Sequence, residues 1–508
     1  MKKLYIALML TLGLSASCTM DYKPYGSLDE NSAIQNLNDL ARFRNGVYTA
    51  LRGMTSGAWV TYQDIQMDQF HGLVSNGNRV GIISNGLITS SDSDLEGFFS
   101  ACYGQIAKAN YLIAKSGEML TQFTDEEDQA TIKRYQGEGQ FLRAYAYFFL
   151  ADHYCQPYAQ VDPTAKATGM PIVTSYDPSG DVDKYPSRST LKETYDLIEK
   201  DLADAFNNLK AYEAVDAKAV APNAAYLSSY AVAAMQARVA LVKGDYPTAL
   251  AKAQLVIGCD KYALTEPADY AKLWSNDEGS EVIFRPFMSS TESPGSTGGD
   301  YTASTTQTTA DYIPTYATLA AYDDDDIRFD TYFTVWTLDV EGGNYPAYVF
   351  LKYPGNEALY TTTENNYCNM PKPFRLSEMY LIAAEAGAKI GTPEATTIAS
   401  KMLNDLRAKR IDSYTAATIP AVSLMTEVMK ERECELLGEG FRMSDLRRWN
   451  KGFQRDADHL ENPALDGVVV AAGRSMKYEA GDYRFTWPIP KTEMDANPNL
   501  KGQQNPGY

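Results

Sequence analysis

Histidine is nearly absent from this chain of 508 residues: His71, His153 and His459 are the three it has, in unrelated contexts. No HExxH, no GxSxG and no glycine-rich phosphate loop occurs, so no motif announces metallohydrolase, serine-hydrolase or nucleotide chemistry. Cysteine is scarce too. Six are present, without CxxC spacing or a metal-like cluster. Setting Cys18 aside leaves Cys102, Cys155, Cys259, Cys368 and Cys434, an odd number that cannot all pair, and isolated buried thiols are expected. Positive charge is short: 46 Lys and Arg stand against 65 Asp and Glu, a net charge of −19. Such a field repels nucleic acid and anionic lipid. Long apolar runs are missing as well. The one candidate, residues 4–14, falls short of the roughly 20 residues a bilayer span needs.

That short run follows Lys2 and Lys3 and precedes Ser15, Ala16, Ser17 and Cys18. A basic start, a short apolar core and small residues make a signal peptide, here residues 1–17. The small residues before Cys18 resemble a lipobox, although Ser15 stands where Leu is usual. Cys18 is then the lipidated first residue of the mature chain. An ordinary secretory signal with an incidental Cys is the alternative. Residues 18–34, polar and turn-rich, are the expected tether.

Aromatic residues are abundant: 36 Tyr, 18 Phe and 5 Trp. Tyr joins an apolar ring to a hydrogen-bonding tip, which suits wet recognition surfaces as well as helix packing. Helical patterning runs through residues 35–273. Leu37, Leu40, Phe43, Val47 and Leu51 recur at spacings of three and four. Residues 95–119 and 126–154 continue the helical pattern, and residues 141–158 are aromatic on nearly all sides, which marks a buried helix stopped by Pro157. Thr190 and Glu193 form a capping-box pattern ahead of a helix over 191–209. Residues 224–257 are similar to a tetratricopeptide helical hairpin, with small Ala residues and a tight turn at Gly244-Asp245; no strict 34-residue period is present, so any repeats are degenerate. Residues 53–97 lose the period and read as a long irregular excursion, the kind of loop that serves function.

Residues 274–373 read as a loop-rich insertion. Residues 289–309 are Ser-, Thr- and Gly-rich and cannot bury a core, while 331–336 and 348–353 are β-prone. The run Asp323–Asp326 lacks EF-hand spacing and its Gly, and reads as a solvated acidic turn. Helices return over 374–508. The chain ends in a segment, 487–508, where Pro488, Pro490, Pro498 and Pro506 exclude regular structure while Trp487, Ile489, Leu500 and Tyr508 are spaced as anchors along a surface.

Four blocks, in order, carry a family resemblance: FRLSEMYLIAAEA (374–386), LNDLRAKR (403–410), ERECELLGEGFRMSDLRRWN (431–450) and the Pro-rich tail. Weaker matches are residues 103–110, 141–158, 186–205 and 322–333. The chain resembles the SusD/RagB family, surface lipoproteins of Bacteroidetes that capture nutrients beside an outer-membrane transporter. The resemblance implies a mostly α fold of degenerate tetratricopeptide-like hairpins with a loop-rich, partly β insertion. It implies a lipid-anchored, outward-facing outer-membrane protein that captures an oligosaccharide and acts as lid to a SusC-like TonB-dependent transporter. A peptide ligand is the alternative, and a surface glycan hydrolase or a protein-binding scaffold are further readings. The chain's 65 acidic residues could supply a glycosidase's carboxylate pair, but nothing singles one out, so no catalytic residue, metal or cofactor is expected.

The alternating charges Glu431, Arg432, Glu433, Arg442, Asp445, Arg447 and Arg448 read as ion pairs that lock the scaffold, with Arg442 and Arg447 placed to hold Glu378 or Glu385. Ligand contacts are expected instead on loops carrying aromatic platforms and polar donors. The candidates are Trp59, Tyr62, Asn76, Asn78, Arg79, Trp274, Tyr301, Tyr332, Trp336 and Tyr345. A core position is the alternative for each Trp.

Overall fold

The computed structural model describes residues 33–74, 79–292, 295–302, 306–455, 465, 467–469 and 475–508. The signal segment, Cys18 and most of the tether lie outside the described residues, as do Asn76, Asn78 and His459. The principal helices are α1 (Leu37–Met54), α2 (Ala58–Ile65), α3 (Ser93–Leu120), α4 (Glu126–Tyr154), α5 (Leu191–Glu213), α6 (Ser229–Lys243), α7 (Tyr246–Ile257), α8 (Leu376–Ile390), α9 (Pro393–Arg407), α10 (Leu424–Glu435) and α11 (Arg442–Arg448). They pack in succession: α3 on α4, α4 on α5, α5 on α6, α6 on α7, α7 on α8, and α8 on both α9 and α10. This leaves a mostly helical body whose principal helices share one large core.

Local chemistry sets the helix ends. The Asn36 side chain accepts from the Asp39 amide to start α1, and Thr190 with Glu193 closes both halves of the expected capping box on α5. The second half of α4 is buried on nearly all sides because α1, α3 and α5 surround it. Gly244, at φ 87°, turns the chain between α6 and α7, and buried Ala233, Ala237, Ala249 and Ala253 lie on this helix pair.

Among the described residues the strands form four antiparallel two-stranded sheets. β1 (Phe70–Gly72) pairs with β3 (Tyr312–Pro314), and β2 (Val282–Phe284) with β6 (Phe374–Arg375). β4 (Phe333–Val340) and β5 (Gly343–Phe350) form a hairpin, and β7 (Phe453–Gln454) pairs with β8 (Lys477–Tyr478). The β-prone pieces thus lengthen into the hairpin, whose turn residues Glu341 and Gly342 both take positive φ, as a twist-matched tight turn requires.

The charged C-terminal motif folds inward. Glu435 is fully buried and accepts from Arg375, Arg410 and Arg328 at 2.9–3.2 Å. Glu281 and Glu431 extend the network, through Arg410 and Arg328 respectively. The expected pairing of Arg442 and Arg447 with Glu378 and Glu385 is corrected. Arg442 holds Asp68, Arg447 lies 3.7 Å from Asp152, Glu378 is held by Arg238, and Glu385 by Arg448 and the Trp449 indole. Helical phase is the reason: Arg448, one residue beyond Arg447, is the side chain that α11 turns toward α8. In the acidic run, Asp323 to Asp325 are exposed, but Asp326 turns inward and forks onto Arg328.

The tail lies pinned. Trp487, Ile489 and Leu500 are buried, and Asn505 donates to the Tyr154 and Trp487 carbonyls. One helical turn, Lys491–Ala496, interrupts it, with Pro490 preceding its first residue, where a missing amide hydrogen costs nothing. Among the described residues Cys102, Cys155, Cys368 and Cys434 are buried, and Cys259 is half-buried.

Candidate functional site

α2 organises the site. Gly57, at φ 56°, donates its amide to Thr297 Oγ1 at 2.9 Å just before the helix. The buried residues of α2 are mostly polar: Thr61, Gln63 and Asp64, with Ile65 beside them. Thr61 donates to Asp300 Oδ2 at 2.8 Å, and Asp64 accepts from the amides of Gly440 and Arg442 at 2.7 and 3.2 Å. Gly440 sits at φ 80°, and a Cβ there would fall 2.6 Å from Gln63 Nε2, so this approach needs glycine. α2 is therefore clamped between residues 297–300 and the C-terminal motif. Trp59 and Tyr62, on the same helix, are half-buried.

Burial raises the Asp64 carboxyl to about 7, against the opposing pull of its two amide donors. The native chain therefore binds this proton more tightly than the unfolded chain. Its stabilising contribution is complete below the unfolded value near 4 and is lost as pH rises toward 7. Asp64→Asn is expected to flatten that part of the profile. Urea unfolding at pH 5 and pH 8 checks it: the wild type should lose more stability across this interval than the variant.

Trp59 packs its ring against Phe98 and Phe149, with centroids 4.8 and 4.7 Å away. Tyr62 meets Phe98 edge-on at 5.7 Å. Close by, exposed Arg79 pairs with Asp311 at 2.6 Å and Asp300 at 3.4 Å, and donates to the Gly299 carbonyl. Tyr312 donates to the Arg79 carbonyl. Burial pushes the Tyr62 phenol up, and Asp94 and Asp300 add to the shift while Arg79 opposes it. Burial likewise lifts the Asp300 carboxyl above the usual range despite Thr61 and Arg79. The helical turn Gly81–Ser84 packs on α2, and Ile82 and Leu87 stand more than half exposed beside it. The result is a ledge of aromatic and aliphatic faces edged by an Arg–Asp pair. It offers flat apolar contact together with hydrogen-bond donors and acceptors.

Behind the ledge, a cavity of about 100 Å³ is walled by Trp59, Phe148, His153, Arg238, Trp274 and Phe441 among others. Burial drives His153 down to about 4, so its ring is neutral at pH 7, with Nδ1 beside the Phe149 carbonyl and Nε2 beside Gln63 Oε1.

The candidates from sequence separate into three places. Trp59, Tyr62 and Arg79 come together at the ledge. Trp274, Tyr301 and Tyr332 fill a second core beneath it. Tyr301 lies between Phe70 and Phe350, and the Tyr332 hydroxyl bonds that of Tyr270. Trp336 and Tyr345 belong to a third cluster, where the inner face of the β4–β5 hairpin meets Ile313 and Leu73. Trp336 is a core position, and Tyr345 packs half-buried at the edge of the same cluster, because pairing Trp336 with Ala347 and Leu338 with Tyr345 turns that face inward. Asp300 and Asp311, which fix Arg79, were not anticipated, and no local sequence signal marks either.

Comparison with known proteins gives consistent matches. Residues 339–508 match the SusD family, and residues 20–241 match a family described as starch-binding associating with outer membrane. SusD-like protein P38 of Formosa agariphila is 23% identical over an alignment covering 99% of this chain and 98% of that protein. A SusD superfamily protein from Bacteroides thetaiotaomicron superposes with a TM-score of 0.77 at 27% identity, covering 93% of this chain and 100% of that one. A laminarin-binding SusD-like protein superposes at 0.68 and 21% identity, covering 94% and 100%. Among the described residues no helix is long and apolar enough to cross a membrane.

Proposed function

The chain belongs to the SusD-like family, and on that premise we propose that it is an outer-membrane binding protein that captures a neutral oligosaccharide on the ledge formed by Trp59, Tyr62 and Arg79. The observation that carries this reading is the ledge itself: half-buried aromatic rings beside a fixed Arg79–Asp311 pair. A sugar ring has an apolar face and a rim of hydroxyls, and such a surface complements both. The family description of starch binding and the laminarin-binding neighbour support a glycan over a peptide. In this reading Cys18 carries the lipid anchor, the body faces outward, and delivery is to a SusC-like transporter that the protein caps. Asn76 and Asn78, which precede Arg79 in the chain, are proposed as further ligand contacts. Binding without turnover fits a site that presents no singled-out acid–base pair.

Calorimetry against a panel of neutral oligosaccharides and short peptides tests the ligand class. Heat with one glycan class and no product formation is expected; heat with peptides alone would move the protein to the peptide-capturing branch. For the anchor, Cys18→Ser is expected to shift the protein from the membrane fraction to the soluble fraction, and unchanged fractionation would refute it.

A further inference from the structure

Where α1, α4 and the loop before α6 meet, two guanidiniums share one carboxylate. Arg44 and Arg134 both bond Glu138, which is fully buried. Its Oε1 accepts from Arg44 Nη2 and Arg134 Nε, each at 2.9 Å, and from the Tyr48 hydroxyl at 2.6 Å, while Oε2 takes Arg44 Nε. Glu138 therefore has little accepting capacity left. Arg134 spends only Nε on it. Arg134 Nη1 and Nη2 have no hydrogen-bond partner among the described residues; the side chain is 13% exposed, and both nitrogens reach solvent. Tyrosine rings fix the two cations. Arg44 lies 4.9 Å from the Tyr48 ring and 4.4 Å from that of Tyr226, and Arg134 lies 4.5 Å from Tyr212 and 4.9 Å from Tyr226. Tyr226 is 47% exposed, so a ring anchored on two guanidiniums also faces water. Phe287, 56% exposed, stands on the adjoining segment. There the Arg285 amide donates to the Ala224 carbonyl, and Arg52, one helical turn beyond Tyr48, donates to the Phe287 carbonyl at 3.0 Å. Tyr226 and the Phe287 segment thus flank the same stretch of α1, where Tyr226 meets Tyr48 edge-on at 5.0 Å.

Charge and shape choose the ligand. Arg44 and Arg134 carry one positive charge more than Glu138 balances, on a chain whose net charge is −19. Neighbouring charges are already engaged. Arg52 pairs with Glu292 at 3.0 Å, and the Asp216 carboxylate accepts from the Tyr212 hydroxyl at 3.1 Å and the Lys218 amide at 3.0 Å. The unmatched charge is therefore the Arg134 guanidinium, whose outer nitrogens form the planar fork that meets a carboxylate or sulfate through two hydrogen bonds. Beside it, the Tyr226 ring offers the flat apolar contact that suits the face of a sugar. A captured peptide would use an open strand edge or an apolar groove, whereas this patch lies on helices and a loop.

We infer that this patch is a second binding surface, for an acidic sugar: the Arg134 fork takes the anionic group and Tyr226 takes the face of the ring. It shares no residue with the ledge and does not need the ledge to bind a neutral glycan.

The test is calorimetry on the full mature chain with tri-galacturonate, its methyl ester, a sulfated carrageenan oligosaccharide and an acidic tripeptide as probes. Binding of tri-galacturonate or of the sulfated glycan is expected, and the one that binds identifies the anionic group. Affinity should fall as salt rises, and the uncharged methyl ester should bind about tenfold more weakly than tri-galacturonate if the carboxylate is the group recognised. Arg134→Gln removes the fork and Tyr226→Ala the ring, and each should weaken binding about tenfold, while Tyr226→Phe should retain it. Tyr226 lies in an exposed loop, so its variants leave the core intact. Tyr62→Ala should leave acidic-glycan binding unchanged. Crystals of the wild-type chain soaked with the glycan that binds provide a readout that needs no variant, and sugar density against Tyr226 and Arg134 is expected. No binding of either acidic glycan, equal binding of tri-galacturonate and its methyl ester, undiminished binding by folded Tyr226→Ala, binding of the tripeptide alone, or sugar density elsewhere would overturn the inference. Loss of acidic-glycan binding in Tyr62→Ala would place that glycan on the ledge and overturn the second surface. Acidic-glycan binding that depends on Tyr226, combined with no neutral-glycan binding at Tyr62, would overturn the ledge reading and leave this one standing.

Discussion

Glu435→Gln is expected to cost about 3–5 kcal/mol of folding stability, the loss typical of breaking a buried ion pair by removing one partner. Glu435 has no exposed surface and serves three guanidiniums, those of Arg375, Arg410 and Arg328. The amide would leave Arg410 with Glu281 as its one remaining carboxylate, itself fully buried and shared with Arg375, whose other partner is Glu439. A domain's whole stability is commonly about 5–15 kcal/mol, so this single atom exchange removes a large share of it. The same network sets the acid limit. Burial opposes ionisation of Glu435, but Arg410, Arg375 and Arg328 outweigh it and hold the carboxyl well below the usual range; Glu281 and Glu431 are lowered in the same way. Groups with depressed native values stabilise the fold fully above their unfolded values, near 4.5, and that stability is lost as pH falls through the lower native values. Denaturant unfolding of both proteins at pH 7 and pH 4 checks this: the variant should be weaker at pH 7, and its deficit should shrink on acidification.

Trp487→Ala is expected to cost a further order of about 3–5 kcal/mol, as deletion of a fully buried Trp does. Trp487 lies nearly parallel to the Phe98 ring at 5.8 Å, meets His153 at 4.7 Å and Tyr154 at 5.6 Å, and donates its indole N–H to Gln66 Oε1 at 2.9 Å. It therefore ties the tail to α3, to α4 and to the residue that follows α2. Because Phe98 also carries Trp59 and Tyr62, the variant should weaken ligand capture at the ledge as well as stability. Trp487→Phe keeps the ring contact and should recover most of the loss. Thermal or urea unfolding of the two variants beside the wild type measures it.

The long helices were legible because their burial is periodic and their caps are local: Thr190 and Glu193 sit three residues apart and satisfy each other. α2 was not legible. It lies within the excursion read as irregular, and three of its four buried residues, Thr61, Gln63 and Asp64, are polar and satisfied by Asp300, His153 and Gly440. Those partners lie between 90 and 376 positions away, beyond any window of periodicity. The aromatic candidates show the same limit. Trp59 and Tyr62 come to a surface ledge, while Trp274, Tyr301 and Tyr332 fill a core, although all five arise in stretches of similar composition. Whether a loop tyrosine faces water is decided by tertiary pairing, such as Tyr332 with Tyr270, which sequence spacing does not encode. Arg79 was legible as a loop donor; its anchors Asp311 and Asp300 lie more than two hundred positions on.

The ledge is most directly tested by the affinity of Tyr62→Ala for the oligosaccharide that the wild type binds, with Tyr345→Ala on the β4–β5 hairpin as a control of like chemistry. Calorimetry should show binding weakened at least tenfold by Tyr62→Ala and little changed by Tyr345→Ala, with both variants folded by circular dichroism. Unaltered affinity in a folded Tyr62→Ala protein would contradict the assignment of the ligand surface to α2.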